Sequence, residues 1–264
     1  MAGKSNPKIS IVMPAYKAEA FIGEVTRARL KELARLGYPY ELIVVIDGRS
    51  NESAEILKQI KTKNLKVIHY NRNKGKGFAV RYGMSKSTGD YIGYVDAGFD
   101  IASGNITKMV KRITAGDVDA VLPSKWHKDS SLRYPFHRTV FSRLYNLFLK
   151  IVLRLPVSDT QVGAKMYTKE LVQKVTPRLL VKRFAFEAEF LAVARHFGFK
   201  KFAEVPVKIN ADKHSTVKVI DGLHSLWDGL AVFYRLYILH YYDRQLSFHN
   251  HSKKKELKNL ILVL

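Results

Sequence analysis

Short apolar runs alternate with amphipathic segments through the first hundred residues. Each run is followed closely by turn-forming or polar residues, as expected of buried strands. The segments between the runs place apolar residues on one helical stripe, such as Phe21, Val25 and Leu33. These patterns predict strands at 9–13, 40–46, 65–69 and 91–95, and helices at 21–36, 53–60 and 78–87.

The pattern changes beyond residue 100. A helix is predicted at 105–115, a short strand at 119–123 and a long amphipathic helix at 139–155. Segment 223–242 is apolar and aromatic, but its charged residues make it too interrupted to span a bilayer. We expect it to lie against a membrane surface at most.

Strands that alternate with helices at this spacing predict an α/β fold. The sheet is expected to be Rossmann-like, doubly wound and mostly parallel, with ligands bound at the carboxyl ends of its strands. We expect one domain at 1–220, with a half at about 8–122 and another at about 123–220. Residues 221–264 are expected to form amphipathic, interfacial C-terminal helices.

The composition is that of a folded, strongly basic protein. The 264 residues are 47% hydrophobic and carry a net charge of +22 at pH 7, so the chain can bury a core. The absence of cysteine excludes disulfides, Cys-ligated zinc and a thiol nucleophile. The polar start and the lack of an eighteen-residue apolar run favour a cytoplasmic protein without a signal peptide or membrane span.

The excess charge is concentrated in residues 123–183, which carry a net +10. Nucleic acid, a phosphorylated small molecule and an acidic membrane surface are the anionic partners to consider. In the helix at 139–155, Arg143, Lys150 and Arg154 lie within about 40° of one another. Such a helix suits a membrane interface, and a core helix with a basic outer face fits this segment equally well.

Polar residues follow the predicted strands at their carboxyl ends. The first strand is followed by Pro-Ala-Tyr-Lys-Ala-Glu at 14–19, and the second by Asp-Gly-Arg-Ser at 47–50. A Lys-Gly-Lys-Gly segment at 74–77 precedes a helix, and Asp-Ala-Gly-Phe-Asp at 96–100 ends the fourth strand. Each segment alone is compatible with a simple turn, but together they place acids and bases along one sheet edge.

In this order the segments resemble the nucleotide-sugar-binding half of the family 2, GT-A-type glycosyltransferases. Three later strings resemble those of the dolichyl-phosphate glucose and mannose synthases, which transfer sugars to polyprenyl phosphates. They are Ser-Asp-Thr-Gln-Val-Gly-Ala-Lys-Met-Tyr at 158–167, Phe-Ala-Phe-Glu-Ala-Glu-Phe at 184–190 and Glu-Val-Pro-Val at 204–207. The resemblance covers roughly residues 8–220.

The resemblance implies a site for a nucleotide sugar. Asp96 and Asp100 are the implied catalytic and metal-binding residues for Mg²⁺ or Mn²⁺, which prefer carboxylate oxygens. Two positions depart from the family, since Gly98 replaces its second Asp and Ile46 replaces the first Asp of the turn after strand two. The residues implied to bind the nucleotide sugar are Pro14, Ala15, Tyr16, Glu19, Asp47, Lys76, Arg81 and Asp96.

The resemblance also implies an acceptor-phosphate site. Its residues are Ser124, Lys125, Arg138 and Ser142, and the last two are four apart at a helix start and can hold one phosphate together. A phosphomonoester is already anionic at pH 7, so no catalytic base is assigned. Further site candidates are Asp159, Gln161, Glu187 and Glu189, of which the two Glu residues either act as base or orient a Lys or Arg.

The leading functional hypothesis is inverting, metal-dependent transfer of a hexose from a UDP- or GDP-sugar to dolichyl or polyprenyl phosphate. The reaction is expected at the cytoplasmic face of a membrane, with the enzyme bound peripherally to anionic lipid. The alternatives are a related transferase with a non-lipid acceptor and a relative weakened by its altered metal motif. A nucleic-acid-binding module ranks below these, because the basic residues cluster with small-ligand phosphate motifs.

Overall fold

The computed structural model describes residues 6–98, 104–131, 136–183, 185–209 and 219–243, and the side chains of 136–139, 141 and 219–223 are outside the description. Asp100 therefore lies outside the described residues. The described chain contains a seven-stranded sheet of order β3-β2-β1-β4-β6-β5-β7. Its strands are β1 (Ile9–Ala15), β2 (Tyr40–Asp47), β3 (Leu65–Tyr70), β4 (Tyr91–Val95), β5 (Ala120–Ser124), β6 (Ala164–Thr168) and β7 (Phe202–Pro206).

Helices cover both faces of the sheet, as predicted for a doubly wound fold. The last helix continues into a π-helical turn at Tyr234–Ile238 and is followed by a short 3₁₀ helix at Tyr241–Asp243. The helices are α1 (Ile22–Ala34), α2 (Asn51–Lys58), α3 (Lys76–Met84), α4 (Asn105–Ile113), α5 (Phe136–Val152), α6 (Lys169–Val175), α7 (Phe186–His196) and α8 (Val219–Phe233).

The sheet confirms the prediction of a mostly parallel α/β fold. Strands β1 to β4 are mutually parallel, and β5 is parallel to β7. Strand β6 runs antiparallel between β4 and β5. As a result, the segment that precedes β6 reaches the same sheet edge as the carboxyl ends of β4 and β5.

Helix α7 had no clear signal in the sequence. Nine of its eleven residues are buried, from Phe186 to Ala194, so it lacks the polar face by which an amphipathic helix is recognised. It contributes Phe186, which packs against Tyr94 with ring centroids 5.6 Å apart, and Phe190, which stacks on Tyr167 at 4.3 Å. Because α7 is held on all sides, its two glutamates are fixed in the interior.

A tight contact fixes the start of α3. The backbone N–H groups of Gly77 and Phe78 donate to the carbonyl oxygen of Lys182, at 2.8 and 3.3 Å. Gly75 has φ +90°, and a Cβ there would lie 2.6 Å from the same oxygen. Only glycine satisfies both conditions. Lys76 follows it as the first residue of α3.

Glu189, on α7, connects the C-terminal segment to the residues that precede α7. Its side chain is fully buried and accepts hydrogen bonds from the backbone N–H of Val181 at 2.8 Å and the hydroxyl of Tyr242 at 2.7 Å. The backbone N–H of Leu180 donates to the same carboxylate, and Arg235 Nη2 lies 3.7 Å from it. These contacts indicate a structural role for Glu189.

We expect Glu189→Ala to lower the free energy of unfolding by about 3–5 kcal/mol, because it leaves buried donors and Arg235 without their acceptor. Tyr242→Phe removes two hydrogen bonds, one donated to Glu189 and one accepted from Arg235 Nε, and should cost about 1–3 kcal/mol. Urea denaturation of both variants measures the difference. Losses below about 1 kcal/mol for both would contradict the role given to Glu189.

Candidate active site

The carboxyl ends of the parallel strands bring the predicted site residues to one edge of the sheet. Asp47 ends β2, Asp96 follows β4 and Ser124 ends β5. Because β6 lies between β4 and β5, the ends of those two strands are about 10 Å apart. Asp47 and Asp96, predicted to bind the nucleotide sugar, therefore lie in one half of this edge. Ser124, predicted to bind the acceptor phosphate, lies in the other, which we call the acceptor half.

Asp96 is held rigidly at this edge by both backbone and side chain. Its backbone N–H donates to Gly163 O at 2.8 Å, and its side chain remains 37% exposed. A Cβ at Gly163 would lie 1.9 Å from Asp96 Oδ2, so only glycine allows this approach. Lys76 Nζ lies 2.9 Å from each carboxylate oxygen of Asp96.

Lys76 is the centre of a buried charge network. Its Nζ also donates to Glu187 Oε1 at 2.9 Å, and Lys165 Nζ donates to Glu187 Oε2 at 2.8 Å. Lys165 is fully buried and makes further hydrogen bonds to Tyr94 OH at 3.2 Å and Val162 O at 2.8 Å. Glu187 therefore bridges two lysines. One of its oxygens accepts from Lys165, and the other accepts from Lys76, which also contacts Asp96.

Attraction between opposite charges in this network favours the charged forms of Lys76 and Glu187. Burial opposes the charge of Lys76, but Asp96 and Glu187 raise its pKa above the usual range. Burial also opposes ionisation of Glu187, yet Lys165 and Lys76 lower its pKa. For Asp96 burial prevails over Lys76 and raises the pKa. Lys76 is thus a permanent cation at the sheet edge.

The remaining residues predicted to bind the nucleotide sugar fall into different environments. Asp47 is buried and accepts from the backbone N–H groups of Lys74 and Gly75 at 2.7 and 2.9 Å, so it shapes the loop before Lys76. Glu19 accepts a hydrogen bond from Ser50 Oγ at 2.6 Å, which lowers the pKa of Glu19.

Pro14 and Ala15 end β1, where Ala15 is buried, while the following Tyr16 is 55% exposed at the same edge. Arg81 lies on the side of α3 that contacts the segment before α7. Its guanidinium donates to Leu179 O, and burial lowers its pKa. In this structure Arg81 therefore has a structural contact, and its role in nucleotide-sugar binding stays a prediction.

The described residues fit a divalent cation only in part. Asp96 Oδ1 is buried and contacts Lys76 Nζ at 2.9 Å, and a carboxylate oxygen has a further lone pair for a cation. No cluster of three or more His, Asp or Glu that could hold a metal occurs in the described part of the chain. Mg²⁺ commonly uses one or two carboxylates together with substrate phosphates, so Asp96 alone is compatible with such a site. The second predicted ligand, Asp100, is outside the described residues.

The predicted acceptor residues are closely packed around Asp159. This carboxylate is fully buried, accepts from the backbone N–H of Lys125 and Gln161 at 2.9 Å each, and pairs with Lys125 Nζ at 3.0 Å. Ser124 Oγ lies 2.6 Å from Ser158 Oγ. The Lys125 ammonium group is thus directed to Asp159 in this structure.

Ser142 and Arg138 both lie on α5, as predicted, and the side chain of Arg138 is outside the description. The backbone carbonyl of Ser142 accepts from Asn146 Nδ2 at 3.0 Å, and Asn146 Oδ1 accepts from both the N–H and the hydroxyl of Thr160. Asn146 thereby joins α5 to the Asp-Thr-Gln segment, where Gln161 Nε2 donates to Thr160 Oγ1.

Two features were not predicted as parts of the site. Lys165 completes the network of Glu187, and its only sequence signal is its position inside the string at 158–167. Asn146 lies on α5 and Trp126 follows β5, where neither periodicity nor a motif distinguishes them from core residues. Their placement depends on the packing of α5 against the end of β5.

A sheet of this topology with an acid–lysine network at its carboxyl edge defines an α/β enzyme of the GT-A type. Residues 10–176 match the family model for glycosyl transferase family 2. The chain belongs to this family, which confirms the fold and family predicted from the sequence.

Several curated proteins are similar to the chain. It is 28% identical to glycosyltransferase AglD of Haloferax volcanii over 76% of the chain and 32% of that protein. It is 27% and 26% identical to the dolichyl-phosphate beta-glucosyltransferases of Dictyostelium discoideum and Homo sapiens, over 76% of the chain and 66% of each enzyme. The chain thus spans about a third of AglD and just under two thirds of the other two.

Solved structures share the fold. Glucosyl-3-phosphoglycerate synthase of Mycobacterium tuberculosis in complex with UDP superposes with a TM-score of 0.64 at 18% identity, covering 86% of the chain and 79% of that protein. The same enzyme with Mn²⁺, UDP and glucosyl-3-phosphoglycerate gives a TM-score of 0.62.

Among the helices described here, none is both long and apolar enough to cross a bilayer.

Proposed function

We propose that the chain transfers a hexose from a UDP- or GDP-sugar to dolichyl or another polyprenyl phosphate, with inversion at the anomeric carbon. The single observation that carries the proposal is Lys76, a permanent cation held between Asp96 and Glu187 at the carboxyl edge of the sheet. A fixed cation at this position suits the diphosphate of a nucleotide sugar. The names of the curated relatives support the choice of acceptor.

The chemistry needs little from the protein beyond positioning and charge. An oxygen of the acceptor phosphate attacks the anomeric carbon while the bond from that carbon to the diphosphate breaks, and the nucleoside diphosphate leaves. The acceptor oxygen is already ionised at pH 7, so no side chain has to remove a proton. Lys76 stabilises the charge on the departing diphosphate, and Lys165 keeps Glu187 ionised behind it.

A divalent cation, Mg²⁺ or Mn²⁺, held by Asp96 would supply further neutralisation of the leaving diphosphate. The Mn²⁺ and UDP in the solved neighbour support this assignment. Asp100 remains the proposed second ligand. The contribution of this chain is the Asp96 carboxylate, which lies close to Gly163 and adjacent to Lys76.

The surface formed by α5, α8 and the segment 234–239 that continues α8 suits a membrane. Large apolar side chains on these elements are solvent-exposed, and cations of α5 accompany them, as in helices that lie in an anionic membrane interface. We propose that this surface docks peripherally on the cytoplasmic face, without a role for nucleic acid. The exposed apolar residues are Val140, Leu144, Leu147, Ile151, Trp227, Leu230, Tyr234, Ile238 and Leu239.

The test is a donor and acceptor panel with the purified chain. We expect label from a UDP- or GDP-hexose to enter the organic phase only when polyprenyl phosphate and Mg²⁺ or Mn²⁺ are present. Transfer to 3-phosphoglycerate but not to polyprenyl phosphate would favour the alternative of a non-lipid acceptor. Absence of transfer from every donor to either acceptor would refute the proposed function.

A further inference from the structure

A groove lies between the end of β5 and the outer face of α5. Its volume is about 330 Å³, within the range of small-molecule sites. It adjoins the acceptor half of the sheet edge through Ser158, whose hydroxyl contacts Ser124. The lining residues are Trp126, Arg143, Asn146, Leu147, Lys150 and Ser158.

The groove is positively charged. Arg143 and Lys150 are exposed, and neither forms an ion pair with any residue in the described ranges. The Arg143 guanidinium stacks over Trp126 at 4.8 Å, which orients it at the groove wall. Among the described residues, the acid that is hydrogen-bonded to a lining residue is Glu204, which accepts from the backbone and hydroxyl of Ser158. The two cations are therefore available to an anion.

The groove also continues into apolar surface. Leu147 lies between the two cations on the same face of α5, one turn from each. Leu144 and Ile151 on the same helix are 57% and 69% exposed. Cations beside exposed aliphatic side chains match a ligand that has an anionic head and an apolar chain.

We propose that this groove binds the acceptor lipid, with its phosphate on Arg143 and Lys150 and its first isoprene units on Trp126 and Leu147. The proposal rests on the proposed function and names residues that the motifs do not assign. It follows from charge, since among the described residues Lys125 is paired with Asp159, whereas Arg143 and Lys150 line the groove without an ion pair. Arg154 belongs to a different surface, because its guanidinium lies over the ring of Tyr237 at 5.5 Å.

The test uses farnesyl phosphate as a soluble acceptor, without vesicles or detergent. Arg143→Gln and Lys150→Gln are each expected to raise the KM for farnesyl phosphate about tenfold, the loss of one charge-assisted hydrogen bond. The KM for the nucleotide sugar should stay unchanged, and Arg154→Gln is the matched control with wild-type values. If both groove variants keep the wild-type KM for farnesyl phosphate and lose only binding to anionic vesicles, the cations serve bilayer docking and the proposal is wrong.

A binding measurement separates this proposal from the proposed function. The chain has two tryptophans, so in the Trp227→Phe protein the fluorescence reports Trp126 alone. We expect farnesyl phosphate to change this signal with a Kd at least tenfold lower than that of farnesol or inorganic phosphate. Such binding without sugar transfer would support the groove and contradict the proposed function. Equal Kd values for farnesyl phosphate and farnesol would overturn the groove, whatever the transfer activity.

Discussion

Asp96→Asn is expected to lower kcat by about 10²–10³-fold, because it removes the negative charge from the one carboxylate that contacts Lys76 at the open sheet edge. The neutral amide can no longer pair with Lys76 or offer an anionic oxygen to a divalent cation. The loss should fall on turnover, which is measured as sugar transfer at saturating donor and acceptor.

Asp117→Asn is the matched control for this prediction. Asp117 is exposed and pairs with Arg112 at the surface, where an ion pair contributes little, so activity and stability should stay near the wild-type values. A kcat for Asp96→Asn within about threefold of wild type would contradict the assignment of Asp96 to the reaction.

Glu187→Ala is expected to lower the free energy of unfolding by about 3–5 kcal/mol, as much as Glu189→Ala. The substitution leaves the fully buried Lys165 without its counter-ion, and an uncompensated buried charge is costly. It also frees Lys76 from one of its two carboxylates. We therefore expect a loss of turnover even at temperatures where the variant remains folded, measured by urea denaturation and transfer assays together.

The control for Glu187→Ala is Glu55→Ala, which removes an exposed carboxylate paired with Lys58 and should cost less than about 1 kcal/mol.

The pH dependence of stability is a second test of the buried ion pairs of Glu187. Since the pKa of Glu187 is lower in the folded chain than its usual 4.5, its ionisation stabilises the fold above that pH. The contribution is lost as pH falls through the folded-state pKa. The stability advantage of wild type over Glu187→Gln should shrink below pH 4.5, and a difference that is constant with pH would contradict the buried ion pairs.

The sequence predicted the part of the fold that local patterns determine. Strands β1 to β4 and the helices between them follow apolar runs and amphipathic stripes, and the positions of Asp47 and Asp96 at strand ends follow directly. Helix α7 escaped prediction because it is buried on nearly every side. The antiparallel insertion of β6 depends on pairing with β4, which no local pattern encodes.

The site was predictable as a set of motifs but not as a set of contacts. Lys76 and Glu187 are 111 residues apart in sequence, and only the packing of α7 against the sheet brings them together. The motif strings also do not show which of several possible partners a charged side chain contacts. Lys125 was expected to face an acceptor phosphate, and its contact in the structure is the buried carboxylate of Asp159, because that acid requires a cation in the interior.

The most direct measurement is the structure of the product formed from an α-linked nucleotide hexose and polyprenyl phosphate. The lipid fraction is extracted, and the anomeric coupling of the transferred sugar is determined by NMR. In-line attack by the acceptor phosphate predicts a β-linked polyprenyl-phosphate hexose, formed by wild type and strongly reduced by Asp96→Asn. An α-linked product, or no sugar in the lipid fraction with any donor, would contradict inverting transfer to a lipid phosphate.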